Sequence, residues 1–225
     1  MKVTLTSDDL QGVLTEFQQQ TNANYQPSAG TLMLPEQFGR GLFRSENLRE
    51  GLDLLINQQL LNENFVISAS GTSVDTTPVL LKFFLSGPVA GSIQNVNDDL
   101  HTSSGDYCLV YSPERAGSVE FAANKDICTV ELGIAPQLLR AMVAGEQYAE
   151  LQQILDPENV DPYFAMGKTT PLMAIVLQQI LQCPYQGASN SQYEIFALKL
   201  ATKAQFSERK NKAFSHFLLS KIWVL

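Results

Sequence analysis

The sequence predicts an α+β chain: a small β-barrel or sandwich of short strands followed by an α-helical hairpin. Three observations carry that prediction. Between about Gly39 and Ala135 apolar residues recur with a period of two, turn formers punctuate the runs, and after Pro136 the spacing returns to that of a helix. Several short, closely spaced strands with Gly-Pro or Asn-Asp turns suit a sandwich or barrel better than parallel βαβ units.

In chain order, Ser7-Asp8-Asp9 supplies an N-cap and acids for the positive end of a helix. Leu10, Val13, Leu14 and Phe17 then repeat at i, i+3, i+4 and i+7. Thr21 to Gly30, rich in Asn, Pro, Ser and Gly, reads as a loop. The strand runs are Leu52 to Leu61, Phe65 to Ala69, Val79 to Leu85, Tyr107 to Tyr111, Val119 to Ala123 and Cys128 to Ile134. In the last of these Cys128, Val130, Leu132 and Ile134 share one face while Thr129 and Glu131 share the other, so one face is core. Leu138, Leu139, Met142 and Val143, then Tyr148, Leu151, Ile154 and Leu155, have helical spacing up to Asp156-Pro157. Thr170-Pro171 is a helix start with Pro at the first position, and Leu172, Met173, Val176, Leu177, Ile180 and Leu181 form its apolar stripe. A second helix from about Ser191 to Leu200, joined by the short link Pro184 to Asn190, completes an antiparallel hairpin.

With 44% hydrophobic and 17% charged residues, a chain of 225 residues buries a core without disulfide or metal staples. The stretch from Thr169 to Tyr193 is poor in charge, but Pro171, Gln178, Gln179, Gln182, Pro184, Gln186 and Gly187 exclude it as a membrane span. No signal-peptide core follows Met1-Lys2, and Cys108, Cys128 and Cys183 lack C-x-x-C spacing. Both facts point to buried thiols in a reducing cytoplasm. Charge is uneven: residues 1–198 carry 9 basic and 22 acidic side chains, a net of −13, and residues 199–225 carry 6 basic and one acidic, a net of +5, summing to −8. Such a body repels nucleic acid, and the basic tail either binds phosphate or is simply solvated.

Enzymatic chemistry finds little to work with. Only His101 and His216 exist, without metal-ligand spacing, so a His-based metal centre is excluded and no metal is expected. Asn95-Val96-Asn97-Asp98-Asp99-Leu100-His101, extending to Asp106, superficially resembles a calcium loop. It places Leu100 where the invariant Gly belongs and reads better as a solvated turn. No G-x-S-x-G or phosphate-cradling Gly motif occurs, and Gly39-Arg40-Gly41 reads as a bulge or turn.

Three segments and the hairpin are similar to a known family. Leu48-Arg49-Glu50-Gly51-Leu52, Phe84-Leu85-Ser86-Gly87-Pro88-Val89 and Tyr111-Ser112-Pro113-Glu114-Arg115-Ala116-Gly117 resemble the sensor domain of AraC-type transcription regulators of the pyochelin-regulator-like branch. The hairpin string Thr170-Pro171-Leu172-Met173 and Gln178-Gln179-Ile180-Leu181-Gln182-Cys183-Pro184-Tyr185-Gln186-Gly187 matches most closely. The resemblance implies a cupin-like effector-binding strand domain over 39–135, preceded by an N-terminal helix and loop over 1–38. A helical dimerisation region over 136–204 and an atypical basic tail over 205–225 would follow. The branch commonly has His where Phe84 stands and Pro where Glu50 stands.

The function it implies is non-enzymatic: the effector-sensing and dimerisation part of a regulator, shortened so that the DNA-reading helix-turn-helix region is missing. Its partners would be a small-molecule effector, an iron-loaded siderophore in the first instance, and a second copy of the chain through Leu172, Met173, Val176, Leu177, Ile180 and Leu181. Strand position offers Phe43, Arg44, Asn57, Gln59 and Phe83 as effector contacts, with core or solvent roles equally open. The alternatives are a short interaction protein that forms mixed dimers with a full-length regulator, and a cupin-like enzyme.

Overall fold

The computed structural model describes residues 1–7, 9–70, 77–94, 96, 100–112, 116–142 and 162–183. Thirteen strands lie among them. They are β1 (Lys2–Leu5), β2 (Asn24–Gln26), β3 (Thr31–Met33), β4 (Gly39–Arg49), β5 (Leu52–Leu61), β6 (Phe65–Ala69), β7 (Val79–Ser86), β8 (Val89–Ile93), β9 (Leu100–Thr102), β10 (Asp106–Tyr111), β11 (Gly117–Phe121), β12 (Asp126–Ile134) and β13 (Tyr163–Lys168). Three helices accompany them: α1 (Leu10–Thr21), α2 (Pro136–Met142) and α3 (Pro171–Gln182).

The strands form two sheets, β1-β6-β11-β8-β9 and β13-β10-β7-β12-β5-β4-β3-β2. All neighbours are antiparallel except β1 with β6. This is a cupin-like β-sandwich with α2 and α3 packed on the outer face of the large sheet and α1 against the cluster between the sheets, the α+β architecture the strand and helix periods foretell. Both sheets draw on residues outside 39–135: β1, β2 and β3 join from the N-terminal side, and β13 pairs with β10 from Tyr111↔Tyr163 to Asp106↔Lys168. The stretch read as a loop from Thr21 to Gly30 thus contains β2 and a single turn of 3₁₀ helix over Pro27–Ala29. The helix around Tyr148, the second hairpin helix, the basic tail, and Asn95 and Asn97 to Asp99 of the calcium-like run lie outside the described residues.

Alternation gives the large sheet two apolar faces. Leu52, Leu54 and Ile56 of β5, Leu81 and Phe83 of β7, and Val130 and Leu132 of β12 point outward, where α2 and α3 cover them. The intervening residues point inward, toward the small sheet. There Phe43, Phe65, Phe84 and Phe121 pack with Leu14 and Phe17 of α1. Phe17 meets Phe43 at 5.2 Å between ring centroids and Phe65 edge-on at 5.6 Å, a geometry that adds to simple burial. α1 begins as its sequence dictates: the Asp9 side chain accepts from the Gly12 N–H at 2.8 Å.

Thr170 caps α3, its hydroxyl accepting from the Met173 N–H at 3.3 Å with Pro171 next in line. Met173, Val176, Leu177 and Ile180 are buried against the large sheet. Four of the six residues read as a subunit interface therefore serve the chain's own core, and Leu181 is partly buried against the same cluster. What the helix turns to solvent is Leu172, 58% exposed, and Ile175, 56% exposed. The physical reason is that the outer face of the sheet is itself apolar and takes the stripe first.

Candidate functional site

Inner positions carry rings at one end of the sandwich and shorter side chains at the other. Leu55, Leu80, Cys108, Val110 and Gly133 on the large sheet face Ile67, Ala69, Gly117 and Val119 on the small one, and a cavity of about 290 Å³ opens between them. Leu10 and Val13 of α1 and Leu5 of β1 complete its walls. The volume lies at the lower edge of the roughly 300–1,000 Å³ of small-molecule sites, and predominantly apolar walls with few polar groups are their usual composition.

Three charged side chains interrupt the apolar wall: Asp53, Lys82 and Glu131. Lys82 and Glu131 stand directly opposite each other on β7 and β12, and the ammonium lies 3.0 Å from Glu131 Oε2. The same ammonium sits 5.9 Å from the centre of the Phe121 ring, so the pair forms the boundary between the cavity and the aromatic end. Cys108, across from Lys82 on β10, has its thiol pushed up to about 12 by burial, which leaves it a packing group rather than a nucleophile. Asp53 opposes Gly133 on β12 and accepts from Asn47 Nδ2 at 2.8 Å on Oδ1. Burial raises its pKa, the negative charge of Asp9 adds to the rise, and the Asn47 hydrogen bond opposes it.

None of Phe43, Arg44, Asn57, Gln59 and Phe83 lines this cavity. Phe83 lies on the outer face under α3, and Phe43 is locked into the aromatic end by Phe17. Arg44 also points outward and donates to the Ile180 carbonyl at 3.5 Å, in the last turn of α3, where a cation suits the helix dipole. Asn57 and Gln59 do share the inner face of β5 with Asp53 and Leu55, farther along the strand. They are buried, and Asn57 Oδ1 and both polar atoms of the Gln59 amide have no hydrogen-bond partner among the described residues. Phe84 is buried in the aromatic end, away from the cavity wall. The wall instead holds Leu55, Lys82 and Glu131, and of these the alternation in β12 sets Glu131 on the face opposite Val130 and Leu132. His101 is exposed on β9, and among the described residues no three His, Cys, Asp or Glu side chains gather as metal ligands would.

A cupin-like sandwich with an apolar chamber between its sheets is thus the class of structure this chain builds. The model of the regulatory protein PchR N-terminal domain matches residues 38–193, more than two thirds of the sequence, and the chain belongs to that family of regulatory domains. A search of curated protein sequences gives no match. Among solved structures, the AraC-like transcriptional activator CuxR is 9% identical, with a TM-score of 0.48 over 81% of this chain and 57% of its own. ToxT from Vibrio cholerae strain SCE256 is 13% identical, with a TM-score of 0.48 over 68% of this chain and 55% of its own. The chain therefore spans little more than half the length of either structure. Among the described residues no helix is long and apolar enough to cross a membrane.

Proposed function

We propose that this chain is the effector-sensing part of an AraC-type transcription regulator, that its effector occupies the cavity between the two sheets, and that two copies pair through the outward side of α3. The observation that carries the reading is the cavity itself. A sandwich of this size has side chains enough to fill its middle, yet the inner positions at one end stay short while those at the other end are phenylalanines. An apolar cleft of this size between two sheets, with a few polar groups in its wall, has the form of a small-molecule site and supports an occupant there. Membership of a regulatory-domain family supports reading that occupant as an effector.

Thermal unfolding of the purified chain with a panel of iron-loaded siderophores and compact apolar molecules tests the proposal. A true effector raises the melting temperature of the native chain and leaves a Val119→Trp variant, whose indole fills the cavity, unmoved. Equal shifts in both, or none in the native chain with any compound, overturn the cavity as the effector site. Pairing is read separately by sedimentation. Ile175→Glu gives a folded monomer if the outward side of α3 is the interface, and a dimer that survives this change places the interface elsewhere.

A further inference from the structure

We infer that the occupant of the cavity is an apolar molecule bearing a protonated amine or an equally strong cationic hydrogen-bond donor, and that Asp53 receives this group in the space left open beside Gly133. The inference rests on the reading of the cavity as an effector site and names the chemistry of its ligand.

The wall's charges are the first argument. Lys82 is already committed, to Glu131 at 3.0 Å and to the face of Phe121. That pair is neutral as a unit. Asp53 is matched by no cation among the described residues: its one hydrogen bond comes from the neutral Asn47 amide, on Oδ1. The nearby charge that acts on it is Asp9, of the same sign. An anionic ligand would add a further negative charge to a wall whose net charge is already −1, from Asp53, Glu131 and Lys82. A cation would supply the counter-charge that a half-buried carboxylate lacks.

Gly133 is the second and independent argument. It lies inside β12, a central strand of the large sheet, where glycine costs roughly 0.5–1 kcal/mol relative to a residue with a side chain. Its backbone is not in the left-handed region, so conformation does not require it. Crowding does not require it either. A Cβ there would meet nothing nearer than the Asp53 Cβ at 3.7 Å and the Pro78 Cβ at 3.8 Å, ordinary contact distances. Both neighbours line the cavity. The fold tolerates a methyl group at this position and the sequence withholds it, which keeps a slot open directly against the wall carboxylate that has no counter-ion among the described residues.

The test measures binding of octylamine, octanol and octanoate to the full chain at neutral pH by calorimetry. Octylamine should bind at least about tenfold more tightly than octanoate, the scale of one charge-assisted hydrogen bond. Asp53→Asn keeps the oxygen that Asn47 donates to, and should abolish the preference for the amine over octanol and octanoate. Gly133→Ala should weaken octylamine by about tenfold without lowering the melting temperature. Octanoate binding as tightly as octylamine, or a preference that survives Asp53→Asn, overturns the inference and leaves the cavity reading standing. If none of the three binds the native chain, the inference about an amine falls, and the thermal-unfolding panel decides the cavity reading separately.

Discussion

Lys82 and Glu131 share a charge pair whose side chains keep only 16% and 19% of their accessible surface. Taking either out of water is costly, and each is tolerable because the other is there. Lys82→Met should therefore destabilise the chain by about 2 kcal/mol in urea unfolding, between the values for exposed and fully buried pairs. The double variant Lys82→Met, Glu131→Gln should recover much of that loss, and strictly additive costs would show that the two do not depend on each other. Glu16 illustrates the opposite case, a carboxylate held by donors instead of a cation. Burial works to raise its pKa, but the Thr6 hydroxyl at 2.6 Å, the Thr6 N–H at 2.7 Å and the Ser7 hydroxyl at 2.8 Å outweigh it and hold it at about 2. Its folded pKa lies below the 4.5 of the free group, so its contribution is complete above about 4.5 and is lost as the pH falls toward 2. The stability gap between the native chain and Glu16→Gln should close over that interval in acid titrations of the unfolding midpoint.

At the scale of elements, α3 shows how a stripe is shared between inside and outside. Leu177 is 2% exposed within the cluster that joins α3 to β5, β7 and β12. Leu177→Ala should cost about 3 kcal/mol and Leu177→Glu should prevent folding, so neither reports on subunit pairing. Ile175→Ser, two residues away and so on the exposed side, should change the stability of the fold by no more than about 0.5 kcal/mol in the same measurement. The start of α3 was legible because Thr170-Pro171 encodes a cap in two adjacent residues. β5 was legible because its apolar run continues to Leu61 before the polar Asn62-Glu63-Asn64, and its ends coincide with the reading. β13 was not. All of Tyr163 to Gly167 are half-buried, which erases the alternation, and the partner strand β10 lies more than fifty residues earlier in the chain. β1 is four residues long and pairs in parallel with β6, a long-range match that a local pattern does not encode.

For the molecule as a whole, the difficulty in reading the site came from the large sheet having two apolar faces. Alternation separates Leu54 from Leu55 and Lys82 from Phe83, but both sets are hydrophobic enough to be core, and only the placement of α3 decides which is the outside. Phe83, offered by strand position as an effector contact, lies on the face of its strand that α3 covers. A cavity is also a property of what is missing: residues from nine strands line it, and no single run records their coincidence. An effector at about one hundred times its Kd should stabilise the whole chain by roughly 2.7 kcal/mol, measurable as a higher unfolding midpoint. The arrangement has one more property. Between the chamber and α3 there is a single thickness of backbone, and consecutive residues of the same strand touch the two sides: Leu55 and Ile56, Lys82 and Phe83, Glu131 and Leu132. The sheet behaves as a drumhead, stretched between a hollow and a helix. Whatever presses on it from the hollow is felt on the far skin without hinge or relay, because the peptide bonds are common to both. Filling the hollow should accordingly alter amide hydrogen exchange along α3, while the distant β2 and β3 edge stays as it was.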